Sequence, residues 1–224
     1  MLLHGYLSKK ESFYYQIEFL SQHFEVIAPD FPGFGASAPI EYAFSVDDYA
    51  EWLKRFLKAQ NATRLNILAH SFGARVAFKA IDKYPEIAHS LIVTGGAGLV
   101  KPRSEEYIKK VKAYRRMKKI FPKFAEKHYG SSEYRTLSPV MRESYKKIVN
   151  EDLSENAANI KCRTYLLYGR EDAVTPPWEE GATFHKLIAD SRFEIMEGGH
   201  FCFSEHPDIF NAKIYNFLSD RATA

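Results

Sequence analysis

Short apolar runs rich in β-branched and aromatic residues alternate along this chain with stretches of helical period. Met1–Leu3 leads into His4-Gly5, Phe24–Ala28 (FEVIA) into the turn-rich PDFPGFGAS, and Leu65–Ala69 (LNILA) into His70-Ser71. Ser90–Thr94 (SLIVT) ends at Gly95-Gly96, Thr164–Tyr168 (TYLLY) at Gly169, and Phe193–Met196 at Glu197-Gly198-Gly199. Runs of this length, bounded by glycines and turn residues, predict about six strands. Between them, Tyr49, Trp52, Leu53, Phe56 and Leu57 form a stripe at helical spacing from Val46 onward. Val76, Ala77, Ala80 and Ile81 form a second one between Ser71 and Pro85. Strands alternating with helices predict βαβ units around a buried, mostly parallel sheet. Ligands of such sheets bind beyond the carboxyl ends of the strands, so the loops after each run are where chemistry is expected.

The middle of the chain breaks the alternation. From Ser104, SEEYIKKVKAYRRMKK places Tyr107, Val111 and Tyr114 on one face, with Ser104 as N-cap, glutamates in the first turn and basic residues in the later ones. A second helical stretch runs around Pro139 to Leu153. Residues 99–159 therefore read as a helical cap inserted into a core made of residues 1–98 and 160–224. Charge supports the division. Residues 99–159 carry 15 Lys and Arg against 8 Asp and Glu, a net +7, which leaves −4 for the rest of a chain whose total is +3. Tyr107, Tyr114, Phe121 and Phe124 recur as inward-facing positions do and are expected on the cap's apolar underside. Its basic residues read as a solvated face, not as a nucleic-acid surface.

Composition narrows the class. The chain has 224 residues, 46% hydrophobic, 26% charged and 15% aromatic, which excludes disordered, collagen-like and coiled-coil proteins. No apolar run approaches the roughly 18–20 residues that span a bilayer. MLLHGYLSKK lacks the basic-then-apolar order of a secretory leader. Cys162 and Cys202 have neither the number nor the spacing for a disulfide framework or a metal site, and no His/Asp/Glu cluster has metal-ligand spacing. The expectation is a cytoplasmic, reduced protein, with no membrane, nucleic-acid, metal or cofactor partner.

Three residues carry the chemistry. Ser71, in Ala69-His70-Ser71-Phe72-Gly73, sits between a predicted strand and a predicted helix. A serine hydroxyl is a poor nucleophile until it is exposed, oriented and placed beside a base. A sharp strand-to-helix turn exposes it, small residues on either side let the two elements approach, and the helix directs N–H groups at a developing oxyanion. Asp172 follows the strand ending at Gly169, and His200 follows the strand ending at Met196. Each alone is an ordinary loop residue. Together they run Ser, Asp, His, each at the carboxyl end of a parallel strand, where a shared site must lie. His4 and Asp30 are expected to order their loops, His70 to be packed or hydrogen-bonded, and Cys202 to fill space as a small apolar side chain.

On these residues the chain resembles the α/β-hydrolase superfamily, from His4 nearly to the C-terminus. The resemblance rests on His4-Gly5, the loop Asp30–Ser37 (DFPGFGAS), the elbow AHSFG, the loop YGRED ending at Asp172, and GGHF containing His200. It implies an α/β-hydrolase fold with Ser71 as nucleophile, His200 as general base and then acid, and Asp172 as the residue that orients the imidazole. It also implies an oxyanion hole from the backbone N–H groups of Tyr6 and Phe72. Leu99, Tyr114, Phe121, Phe124, Val174 and Phe201 are expected to line the substrate pocket. Two features depart from the family. Ala69 stands where glycine is usual, a tolerated methyl. The two strands that usually precede the one ending in His-Gly are absent, which leaves the Phe24–Ala28 edge open; pairing of two copies there, or a shortened chain, is expected. The activity implied is hydrolysis of a carboxylic ester or related acyl compound through an acyl-enzyme. The alternatives are C–C bond hydrolysis or a menaquinone-pathway type of lyase reaction on the same triad, and a low-turnover ligand-binding protein. A serine at the elbow separates the chain from the dehalogenases and epoxide hydrolases of the superfamily, which have aspartate there.

Overall fold

The computed structural model of the chain describes residues 1–100, 109 and 136–220. Five parallel strands form one sheet in the order β1 (Leu2–Leu3), β2 (Leu65–His70), β3 (Ala88–Thr94), β4 (Arg163–Gly169) and β5 (Ser191–Met196). The inner strands β2, β3 and β4 are covered on both faces, so successive residues serve two cores. Leu3, Ile67, Ala69, Leu91, Val93, Leu166 and Tyr168 pack into one. Their neighbours Leu2, Leu68, Ile92, Tyr165 and Leu167 pack into the other. This explains why the strands read as unbroken apolar runs.

On the first face lie α2 (Val46–Ala59), α3 (Phe72–Lys83) and α6 (Ala182–Leu187), and on the second α1 (Tyr14–Leu20) and α8 (Pro207–Ser219). Helix α2 starts with a capping box. The Asp48 N–H donates to Ser45 Oγ at 3.2 Å, and the Ser45 N–H donates to Asp48 Oδ2 at 2.8 Å. Its predicted stripe faces the core, with Tyr49, Leu53 and Leu57 buried and Trp52 and Phe56 packed against them. Between β3 and β4 the described residues include α4 (Pro139–Val149), with Ser138 as N-cap, and α5 (Ser154–Ala158), which packs against α3 and α6. A single-turn helix α7 (Cys202–Glu205) precedes α8. The expected helix from Ser104, with Tyr107, Val111 and Tyr114, lies outside the described residues, as do Phe121 and Phe124. No helix among the described residues is long and apolar enough to cross a membrane.

The expectation of a strand at Phe24–Ala28 is corrected. That segment pairs with β1 only through Leu2 N–H donating to Ile27 O at 2.9 Å, and the sheet has five strands instead of about six. Strand β1 is two residues long, so it offers a neighbour too few ladder positions to register a full strand.

Candidate active site

Four loops converge at the carboxyl edge of the sheet. The first, after β1, is fixed by His4, which is fully buried. Its Nε2 accepts the Phe31 N–H at 3.0 Å, so Nδ1 carries the proton and donates to Gly5 O at 2.7 Å. Asp30 Oδ1 and Oδ2 accept the N–H groups of Lys10 and Ala36 at 2.7 and 2.9 Å. Both residues order loops. Tyr6 is held by its hydroxyl, which donates to Met141 O at 3.1 Å.

Ser71 alone connects β2 to α3, with φ 52° and ψ −108°. Few non-glycine residues adopt such a backbone, and they cluster where a side chain must be presented. Ser71 N–H donates to Thr94 O at 3.2 Å, which ties the elbow to the end of β3. Phe72 opens α3, and the first N–H groups of a helix have no acceptor within it.

Asp172 is 3% exposed, and all four of its contacts are donors. Oδ1 accepts the Val174 and Thr175 N–H groups at 2.8 and 2.9 Å, and Oδ2 accepts Thr175 Oγ1 at 2.7 Å and His200 Nδ1 at 2.9 Å. Burial pushes this carboxyl upward, but the hydrogen bonds from His200 and Thr175 outweigh it and hold the group below its ordinary range. Gly95, at φ 51°, lies beside the pair: a Cβ there would stand 3.0 Å from His200 Nδ1 and 3.3 Å from Asp172 Oδ2. The loops bearing the two residues are joined as Glu171 N–H donates to Gly198 O at 3.0 Å and Gly198 N–H to Glu171 Oε2 at 2.8 Å.

A cavity of about 710 Å³ is lined by Gly5, Tyr6, Ser71, Phe72 and His200. Leu99, Val174 and Phe201 also line it, the last two on its rim at 69% and 44% exposure. Tyr114, Phe121 and Phe124 lie outside the described residues. Ser71 and His200 thus share a wall, and His200 is hydrogen-bonded to Asp172; among the described residues Ser71 Oγ takes no hydrogen-bond partner. Among the described residues no cluster of His, Cys, Asp and Glu could hold a metal. Cys202 is buried, its thiol pushed up to about 11 by burial, and it contacts Thr94 Oγ1 at 3.5 Å.

Three residues of this region escaped the sequence reading. Thr175 braces Asp172, and Arg75 and Glu180 line the cavity. Arg75 had a signal: it lies four residues after Ser71, on the same face of α3. His70, expected to be packed or hydrogen-bonded, is both. It is 1% exposed, and its Nε2–H donates to His200 O at 3.0 Å, so it braces the backbone of the histidine loop. Its Nδ1 is buried without a partner, and burial lowers its pKa from 6.5 to about 3.

The sign of the resulting pH effect follows. Between those values the unfolded chain takes up a proton that folded His70 refuses. Stability is therefore full above about pH 6.5 and falls as the pH drops toward 3, by about 1.4 kcal/mol per pH unit from this group. A His70→Gln variant keeps a donor for His200 O but cannot titrate. Its urea midpoint should fall less steeply than that of the wild type between about pH 6.5 and 4. Parallel slopes would show that His70 is not held neutral.

Residues 1–137 match the family described as alpha/beta hydrolase fold. An Oryza sativa subsp. japonica protein named "Probable 1-acylglycerol-3-phosphate O-acyltransferase" is 23% identical over 276 residues, covering 96% of this chain and 66% of its own length. The chain thus spans just under two thirds of that relative. The 2-hydroxymuconate semialdehyde hydrolase of Pseudomonas putida is 26% identical over 226 residues, covering 89% of this chain and 79% of its own. Among solved structures, an esterase from Exiguobacterium antarcticum superposes with a TM-score of 0.77 at 21% identity, covering 98% of this chain and 91% of the other; at that identity the likeness is one of fold. With the five-stranded parallel sheet and the strained serine at its β2–α3 junction, the match over more than half the length places the chain in the alpha/beta hydrolase fold family.

Proposed function

We propose that the protein is a serine hydrolase that cleaves a carboxylic ester or a related acyl compound. One observation carries this reading: a serine in a strained turn lines the same cavity as a histidine whose Nδ1 is held by a buried aspartate. Ser71 Oγ attacks the acyl carbon and gives its proton to His200 Nε2. Asp172 steadies the resulting imidazolium through Nδ1–H, and the oxyanion takes the N–H groups of Phe72 and Tyr6. His200 returns the proton to the departing alcohol, leaving an acyl-enzyme. Water, losing a proton to His200, then releases the acid and restores Ser71. The Ser71–His200 hydrogen bond is the one contact of the triad that closes with substrate, as such bonds do in enzymes crystallised empty. Residues 99–159 are proposed as the lid, with Tyr145 and Ile148 of α4 already on the cavity wall.

The test is labelling with a fluorophosphonate probe together with turnover of p-nitrophenyl esters of increasing chain length. Labelling and turnover are expected; a wild type that takes no label has no activated serine, and the reading fails. The relative that acts as 2-hydroxymuconate semialdehyde hydrolase supports a second reading, hydrolysis of a C–C bond on the same residues. Labelling without ester turnover is the result that favours it.

A further inference from the structure

Helix α3 carries Arg75 four residues after Ser71, on the same face and about 6 Å further along the axis. Arg75 is 7% exposed and lines the cavity that Ser71 and His200 line. One edge of its guanidinium is occupied: Nη1 donates to Ile148 O and to Glu151 O, each at 3.0 Å, and so bridges the end of α4 to α3. Nε and Nη2 take no hydrogen-bond partner among the described residues, and no carboxylate of those residues lies within ion-pair distance of Arg75. Two backbone carbonyls would be served as well by a neutral donor. A buried cation that goes without a contacting anion is costly, and such groups are normally matched. The carboxylates that act on it from a distance are Glu180, Glu151 and Asp152, with the Tyr145 hydroxyl also near; of these, Glu180 and Tyr145 line the same cavity.

We propose that Arg75 reads a carboxylate on the substrate, so that the compounds hydrolysed are monoesters of small dicarboxylic acids or similar esters bearing a carboxylate on the acyl side. The Nε–Nη2 edge of a guanidinium presents two parallel N–H groups, which match the two oxygens of a carboxylate in one plane. The position fits an acyl group that starts at Ser71 and runs along α3. This inference rests on the serine-hydrolase reading and names its substrate class.

The experiment compares p-nitrophenyl hemiesters, from malonyl to adipyl, with neutral p-nitrophenyl esters of the same chain length. The wild type should favour the best hemiester over its neutral counterpart by about tenfold or more, chiefly through KM. Arg75→Gln should collapse that ratio, and Arg75→Lys should restore part of it. A purely structural Arg75 would lower both substrates together and leave the ratio where it was, which would overturn the proposal. A wild type that turns over neutral esters equally well or better also overturns it, while leaving the serine-hydrolase reading intact. If neither ester is turned over, calorimetric titration with glutarate decides: binding lost in Arg75→Gln supports the site, and no binding to the wild type refutes it.

Discussion

Replacing Ser71 by alanine should lower ester turnover by about 10^5-fold or more and abolish fluorophosphonate labelling, while leaving the fold as stable as before. The two halves of that result have separate causes. Activity falls because Ser71 is the hydroxyl that the strained turn presents beside His200; Thr175 Oγ1, on the same wall, is committed to Asp172, and Cys202 is buried, with its thiol pushed up to about 11. Stability holds because Ser71 Oγ makes no cap to α3 and no other hydrogen bond among the described residues, so its loss leaves nothing unpaired. Alanine also keeps the Cβ, so the strain at φ 52° is unchanged. Glycine relieves it. A Ser71→Gly variant should therefore be as inactive as Ser71→Ala but more stable, by about 1 kcal/mol, in urea unfolding at neutral pH. A glycine variant less stable than the alanine one would show that the turn stores no strain and that Ser71 is held there by other means.

The strands around this serine were legible for a simple physical reason. In a sheet covered on both faces the central positions of each strand are apolar, so β2, β3 and β4 stand out as runs, and glycine or Ser71 marks each end. The order Ser71, Asp172, His200 then placed three polar residues at strand ends without knowledge of any contact. Phe24–Ala28 has the same apolar signature and is not a strand. What it lacks is a partner with ladder positions to spare, and partner length is a property of another segment. The polar side of the cavity was hidden for a different reason. Charged residues are solvated by default, so the sequence singles out neither Arg75 nor Glu180, which are buried at 7% and 6% exposure. Helical spacing from Ser71 would have placed Arg75 on the catalytic face; nothing in Pro177-Trp178-Glu179-Glu180 marks Glu180 as inward. His70 was expected to be packed or hydrogen-bonded, and only the fold identifies His200 O as its partner.

The elbow carries alanine at position 69, where the family usually has glycine, and the sequence reads that methyl as tolerated. The structure puts the tight crossing at the other end of the motif. Ala69 is fully buried in the first core, with its methyl accommodated. At Gly73 a Cβ would overlap the carbonyl oxygen of Leu3 and come within 2.7 Å of the Leu3 carbonyl carbon and 2.9 Å of His4 O. These are backbone atoms of β1 and the loop after it, so no side chain can turn aside. Either α3 withdraws from β1 or β1 gives up its register with Leu68 and Ala69. Gly73→Ala should therefore cost about 3 kcal/mol or more, although it adds one methyl to a helix and alanine is the better helix former. For a chain of this length that is a fall in Tm of about 6–12 °C. The molecules that remain folded should also lose turnover, because the segment pushed aside carries Gly5 and Tyr6 to the cavity wall. Ala69→Gly supplies the contrast, since it removes a packed methyl and should cost only about 1 kcal/mol. Urea unfolding of the two variants side by side checks the assignment. If Gly73→Ala kept the wild-type midpoint, β1 would not be in contact with α3 at this position, and the placement of the His4-Gly5-Tyr6 loop against Ser71 would fall with it.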